Sequence, residues 1–259
     1  DSVYPADPDA LRQMIAEFFN SPDGPGNLSE LLAATKVATT DYMRALVAPH
    51  IDLRVGGATY AHGYKELICN SQAELFVALG VAHQAYSNHL FYVSQKDFAT
   101  PLGVLRNNRD FSRHLQRATD VENSVAELTH RTEHSIEFQA VLLQALLKDA
   151  CHREAQIVPV LCGSVEQFLI ERENPKKSAS FRKFVECLTN ELEGCGKKWC
   201  ILCSVDLSHV GPEFEHGTMM NERLLLPVNR GDRRILQHIE RLDAQAFFDE
   251  IARVQNSRH

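Results

Sequence analysis

Three apolar runs in this chain each lead into a histidine: residues 45–50 (Ala-Leu-Val-Ala-Pro-His50), 75–83 (Leu-Phe-Val-Ala-Leu-Gly-Val-Ala-His83) and 200–209 (Cys-Ile-Leu-Cys-Ser-Val-Asp-Leu-Ser-His209). Neutral imidazole ligates metals, and its proton exchanges near neutral pH. Three imidazoles at the ends of apolar runs, one with Asp206 three residues before it, therefore suggest a metal or acid/base site. In Asp206-Leu-Ser-His209 the carboxylate can ligate a metal or orient the imidazole, while His209 moves protons. The competing structural reading makes Asp206 an N-cap and His50 a partner for a turn carbonyl. A second cluster is Glu133-His134-Ser135-Ile136-Glu137, at the start of an apolar helical stretch. Early acidic residues suit a helix dipole. Glu137 falls one turn further in, where a buried carboxylate is costly without a partner, and His134 and Arg131 are the candidates.

These residues need elements that bring them together. Runs rich in Val, Ile and Leu read as strands buried on both faces, the habit of parallel sheets covered by helices. Ligands of such sheets bind in the crevice at strand ends. Strands are expected at 44–49, 75–81, 89–94, 156–162 and 199–205. Asp7, Pro8 and the spacing of Leu11, Ile15 and Phe18 predict an N-terminal helix. Further helices are expected at 58–66, from Thr132 through Leu146, after a capping box at Ser164, over 181–192 with Gly194 as C-cap, and at 232–241 and 243–254. Gly56-Gly57 follows His50 in a turn and lets a backbone approach something closely, which is too little for a phosphate loop. Strands alternating with helices, with no repeat and no linker, make the chain α/β and a single domain over residues 1–259.

Composition narrows the function. The 259 residues are 44% hydrophobic with a formal net charge of −7, and no basic face favours nucleic acid. No apolar stretch approaches the length of a membrane span. Seven cysteines, several within apolar runs, read as reduced thiols in a cytoplasmic protein. Cys200 and Cys203 point to opposite faces of a strand, which argues against a redox or zinc pair. No Gly-x-Ser-x-Gly elbow, Walker loop or His-Glu-x-x-His is present.

Tyr4-Pro-Ala-Asp-Pro8, Ala48-Pro-His50, Gly80-Val-Ala-His83, Thr100-Pro-Leu102, Glu133–Glu137, Ile157-Val-Pro-Val160 and Ser204–His209 occur in the order found in the Memo-like family. The chain resembles that family over nearly its whole length. Bacterial and archaeal members are labelled AmmeMemoRadiSam system protein B, and the family is similar to class III extradiol dioxygenases of the LigB type. The resemblance implies a three-layer α/β/α sandwich with a mostly parallel or mixed sheet. It implies His50 and His83 as ligands of a divalent metal, iron(II) or copper, with His209 as the acid/base and Asp206 beside it.

Asp52, Arg54, Glu133, His134 and Glu137 are expected in the substrate pocket or behind the ligands. The third ligand is expected from Asp206, Asp52 or a Cys-Gly segment of the family; residues 256–259 lie where that segment would begin, so its cysteine is expected past His259 or is absent from this protein. The family's aromatic turn after Ala-Pro-His is replaced here by Ile51-Asp-Leu-Arg54. The implied function is a metal-dependent oxidoreductase acting on a small molecule, with phenols among the candidates. The alternatives are a non-catalytic module binding a peptide or small anion, a partner of a radical-SAM system, or a metal-assisted hydrolase.

Overall fold

The fold is a computed structural model that describes residues 3–34, 42–214 and 219–253. Packing divides the chain into two compact units: residues 1–163 with 183–205, and residues 164–182 with 206–259.

The first unit carries the sheet. Its strands are β1 (Ala45–Ala48), β2 (Leu75–Val81), β3 (Phe91–Val93), β4 (Phe98–Thr100), β5 (Gly103–Asn107), β6 (Gln156–Cys162) and β7 (Trp199–Ser204). The order is β1-β7-β2-β6-β5-β4, with β3 paired antiparallel to β6. The central pairs β1·β7, β7·β2, β2·β6 and β6·β5 are parallel, and β4·β5 is antiparallel. The strands expected from the sequence are all present, within a residue or two of their predicted ends.

Alternation along the strands makes three layers. Phe76, Ala78, Ile157, Leu161, Cys200 and Leu202 face one core, and Leu75, Val77, Val158, Val160, Trp199 and Ile201 face the other. The first core is covered by α1 (Pro8–Asn20), α3 (Leu53–Asn70), α6 (Glu137–Leu142) and a π-helix at Leu143–Ala150. The second is covered by Phe111 and Leu115 of α4 (Arg109–Ala118) and by Phe184 and Leu192 of α8 (Ala179–Gly194). A sheet buried on both faces is why its strands read as unbroken apolar runs. The remaining helices of this unit are α2 (Leu28–Ala34) and α5 (Asn123–His130).

Several boundaries differ from the sequence expectation. Asp7 caps α1 by accepting the Ala10 N–H at 2.8 Å, but the buried face is Leu11, Ile15 and Phe19, not Phe18. Phe18 instead lies against Gly57, where a Cβ would come within 2.3 Å of its ring. The Gly56-Gly57 stretch is therefore the first turns of α3 rather than a turn, and the close approach it permits is helix to helix. The α3 helix starts at Leu53, not 58, because Asp52 accepts the Arg54 N–H at 2.8 Å as its N-cap. The helix expected from Thr132 starts only at Glu137, and its second half widens to π geometry. The helix α7 (Glu166–Glu171) follows Val165, which makes no side-chain capping bond, while the Ser164 hydroxyl expected to cap accepts the Glu166 N–H at 3.1 Å. Gly194 is still helical, and the left-handed turn that ends the segment falls at Gly196, with φ of 64°.

The second unit contains α7, α9 (Glu222–Glu240) and α10 (Ala244–Arg253) around Leu169, Ile235, Ile251 and Ala252. The α9 helix begins ten residues before its predicted start, since Asn221 caps it by accepting the Leu224 N–H at 3.1 Å. Residues 254–259, including the Asn256–His259 end, lie outside the described residues. No helix among the described residues is long and apolar enough to cross a membrane.

Candidate metal centre

His50 and His83 each lie two residues beyond a parallel strand, β1 and β2 respectively. Both therefore arrive at the carboxyl edge of the sheet. A third imidazole joins them from the loop before α6. His50, His83 and His134 each present a ring nitrogen within 4.8 Å of the other two, which is close enough to hold one metal ion. The ring centres of His50 lie 5.2 Å from His83 and 5.6 Å from His134, and those of His83 and His134 are 5.0 Å apart. His50 is buried while the other two are exposed, so the cluster has a closed back and an open front.

Neighbouring groups set the tautomers. The Nδ1 of His50 lies 3.0 Å from the Ser204 carbonyl at the end of β7. A carbonyl only accepts, so Nδ1 carries the proton and Nε2 is the basic nitrogen of this ring. The Nδ1 of His83 donates to Glu133 Oε2 at 2.8 Å, and the His83 N–H donates to Oε1 at 3.1 Å. That carboxylate turns Nε2 of His83 towards ligation as well. An imidazole held by carbonyl or carboxylate at its far nitrogen is the usual support of a metal-bound histidine. Burial alone would push the Glu133 carboxyl up. The His83 bond, with the charges of His83 and His134, outweighs it and holds Glu133 below its ordinary value.

The loop that carries His134 is pinned by Ser135, which is fully buried. Its Oγ accepts from the Val81 N–H and donates to the Val81 carbonyl, both at 3.1 Å, so it caps the end of β2. Ser204 Oγ of β7 donates to the Ser135 carbonyl at 2.5 Å, which ties the loop to a second strand end. Gly80 is small for the same reason, because a Cβ there would meet Ile136 and the Ser135 hydroxyl at 2.6 Å. Beneath His50, Gln139 Nε2 donates to the Pro49 carbonyl at 2.7 Å and to Ser204 Oγ at 2.8 Å. Its Oε1 accepts from the buried Tyr64 hydroxyl at 3.0 Å. The Tyr60 hydroxyl holds the Ile51 carbonyl at 2.8 Å.

A cavity of about 790 Å³ opens beside His134. Tyr4, Pro101 and Phe138 give it apolar walls, with Asp52 and Glu137 among its lining. Glu137 accepts a short hydrogen bond from the Tyr4 hydroxyl, and burial together with that carboxylate pushes the Tyr4 phenol well above its ordinary value. The partner of Glu137 is thus Tyr4, not His134 or Arg131. Asp52 lies outside the three-histidine cluster. Its oxygens are taken by Arg54, whose Nη2 is 2.5 Å away, and this pairing holds the carboxyl below its ordinary value.

Asp206 and His209 belong to the second unit. His209 Nε2 is 3.6 Å from Asp206 Oδ2, and its ring meets Phe214 edge-on at 4.9 Å. Sequence reasoning put His134 in the pocket, which it lines, but not in the three-histidine cluster, and gave Tyr4, Phe138 and Gln139 no role. The Tyr4–Pro8 and Thr100–Leu102 motifs were the available signal for the cavity walls.

Residues 1–258 match the family described as Memo-like protein. The chain belongs to the Memo-like family. It is 27% identical to a MEMO1 family protein of Methanobrevibacter smithii over 248 residues, covering 96% of this chain and 77% of that protein. A MEMO1 family protein of Thermococcus onnurineus is 24% identical over 258 residues, 99% of this chain and 80% of its own length. One of Aquifex aeolicus is 29% identical over 212 residues, 82% of this chain and 48% of its own. In this Memo-like chain the three imidazoles are a donor set suited to iron(II), copper, zinc or nickel. Among the described residues the cluster has no thiolate.

Proposed function

We propose that this Memo-like protein is a metal-dependent oxidoreductase that binds iron(II) or copper through His50, His83 and His134 and acts on a small molecule in the adjoining cavity. The observation that carries the reading is the cluster of three ring nitrogens within 4.8 Å, two of its rings oriented from behind by Ser204 and Glu133. When bound, such an ion supplies Lewis acidity and a change of oxidation state. The chain's own residues do the rest. Buried His50 closes the back of the site, and the cavity borders it at His134. Glu133 keeps His83 in its ligating tautomer, and the Ser204 carbonyl does so for His50. The cavity walls of Tyr4, Pro101 and Phe138 strip water from an apolar substrate body. The acid/base role of His209 and Asp206 is part of this reading on the strength of the family resemblance alone. Seven free thiols suit a cytoplasmic setting.

The test is elemental analysis of the full chain purified without oxygen, beside His50→Ala, His83→Ala, His134→Ala and Asp52→Asn. About one iron or copper per chain, lost in the three histidine variants and kept in Asp52→Asn, supports the reading. Oxygen uptake with catechols by the loaded wild type then assays turnover. Folded protein that takes up no metal on reconstitution sinks it and leaves a binding module.

A further inference from the structure

The cavity beside His134 carries two carboxylates. Its walls are apolar at Val3, Ala99, Pro101 and Phe138, and among the described residues its lining includes Asp52 and Glu137 and no lysine or arginine. The two carboxylates are not equivalent. Arg54 neutralises Asp52 through a paired contact at 2.5–3.2 Å. Glu137 instead receives the neutral Tyr4 hydroxyl, and no lysine or arginine among the described residues forms an ion pair with it. A carboxyl group with no lysine or arginine partner among the described residues therefore sits on an apolar-walled cavity, where charge interactions are stronger than in bulk water. A carboxylate or phosphate entering the metal-free cavity would meet that group with no lysine or arginine among the described lining residues. A protonated amine would find a charge-assisted acceptor in Glu137 and a matching apolar surface for its body.

From this we infer that the cavity selects a cationic amphiphile: a small molecule with an aromatic or aliphatic body and a primary amine that pairs with Glu137. The inference rests on the reading that this cavity serves the histidine site. It names the substrate class of that site. His134 borders both the cavity and the cluster, so the amine at Glu137 fixes one end of the molecule three residues along the chain from a ligand imidazole.

The probes are phenethylamine and 3-phenylpropionate, similar bodies with opposite charge, titrated calorimetrically into the full chain after chelator treatment and again after zinc(II) loading. The amine should bind the stripped protein at least about tenfold more tightly than the carboxylate, the worth of a charge-assisted hydrogen bond. Glu137→Gln, which keeps an oxygen for the Tyr4 hydroxyl, should weaken the amine about tenfold or more, while Asp52→Asn changes it less than about threefold. Equal or tighter carboxylate binding overturns the inference, as does an amine affinity unmoved by Glu137→Gln, or no binding of either probe. If the variant does not fold, the wild-type preference decides alone. Because the stripped protein is used, the two readings fail separately. Amine selectivity without metal uptake removes the oxidoreductase, and metal uptake without amine selectivity removes this inference.

Discussion

Gln139→Met tests whether the buried network beneath His50 builds the metal site. The side chain is fully buried and similar in length to methionine, so the change removes hydrogen bonds with little change of shape. Three bonds go: to the Pro49 carbonyl, to Ser204 Oγ and from the Tyr64 hydroxyl. Tyr64 keeps a 3.2 Å contact with the Gln139 carbonyl, and Ser204 Oγ keeps the Ser135 carbonyl, so neither is fully stranded. The Pro49 carbonyl is stranded but only half-buried. Lost bonds at about 1 kcal/mol each, with the orphan at the low end of its range, sum to roughly 2–3 kcal/mol. In a chain of this size that lowers the melting temperature by roughly 5–10 °C. Gln139 holds Pro49, the residue before His50, and the hydroxyl of Ser204, whose carbonyl orients the His50 ring, so loosening both should also weaken metal binding about 10–100-fold. Thermal melts of the metal-free protein and competitive metal titrations measure the two effects. A variant that melts within about 2 °C of wild type and keeps its metal affinity refutes the argument.

Glu133→Gln removes the charge behind His83 and should lower metal affinity about 10–100-fold with the fold intact; an unchanged titration would make Glu133 a bystander. Gly57→Ala puts a Cβ 2.3 Å from the Phe18 ring and should cost about 1–3 kcal/mol despite the better helix propensity of alanine. Phe18→Leu in the same chain should recover part of that loss in urea unfolding, and a more stable single variant would contradict the packing argument. Glu250 is bonded to Arg253 and Arg234 at 2.8 Å, which lowers its carboxyl from 4.5 to about 2. A depressed carboxyl stabilises the fold fully above its unfolded pKa and loses that contribution as pH falls through 4.5 towards 2. Glu250→Gln should therefore be destabilising near about pH 6 and much less so near about pH 3, and a constant difference across that range would refute the assignment.

The parallel core was legible because burial on both faces leaves a strand no polar positions: Val77 and Val158 are as buried as their neighbours Phe76 and Ile157. His50 and His83 were legible for a related reason, since strand ends of such a sheet converge. His134 was not. The run from Thr132 reads as a helix start, where Glu133 and His134 have ordinary dipole chemistry, whereas it is a loop held to two strand ends by Ser135. The Asp52 carboxylate looked like a spare ligand because its partner depends on side-chain geometry, and Arg54 two residues on takes it. Tyr4 reaches Glu137 across 133 residues, and no local pattern carries that information.

The Ser204 carbonyl that orients His50 lies 154 residues further along the chain. In a growing polypeptide all three histidines leave the ribosome while β7 is still unmade. With some 70 residues between His134 and Ser204, and synthesis at ~5–20 residues per second, that interval lasts several seconds. Through it the imidazoles are loose, poorly selective donors, and only the closing of β7 between β1 and β2 gives His50 its fixed tautomer. Metal capture should therefore follow folding rather than guide it. A pulse of metal during translation should fill the protein no faster than the same metal added to the finished chain.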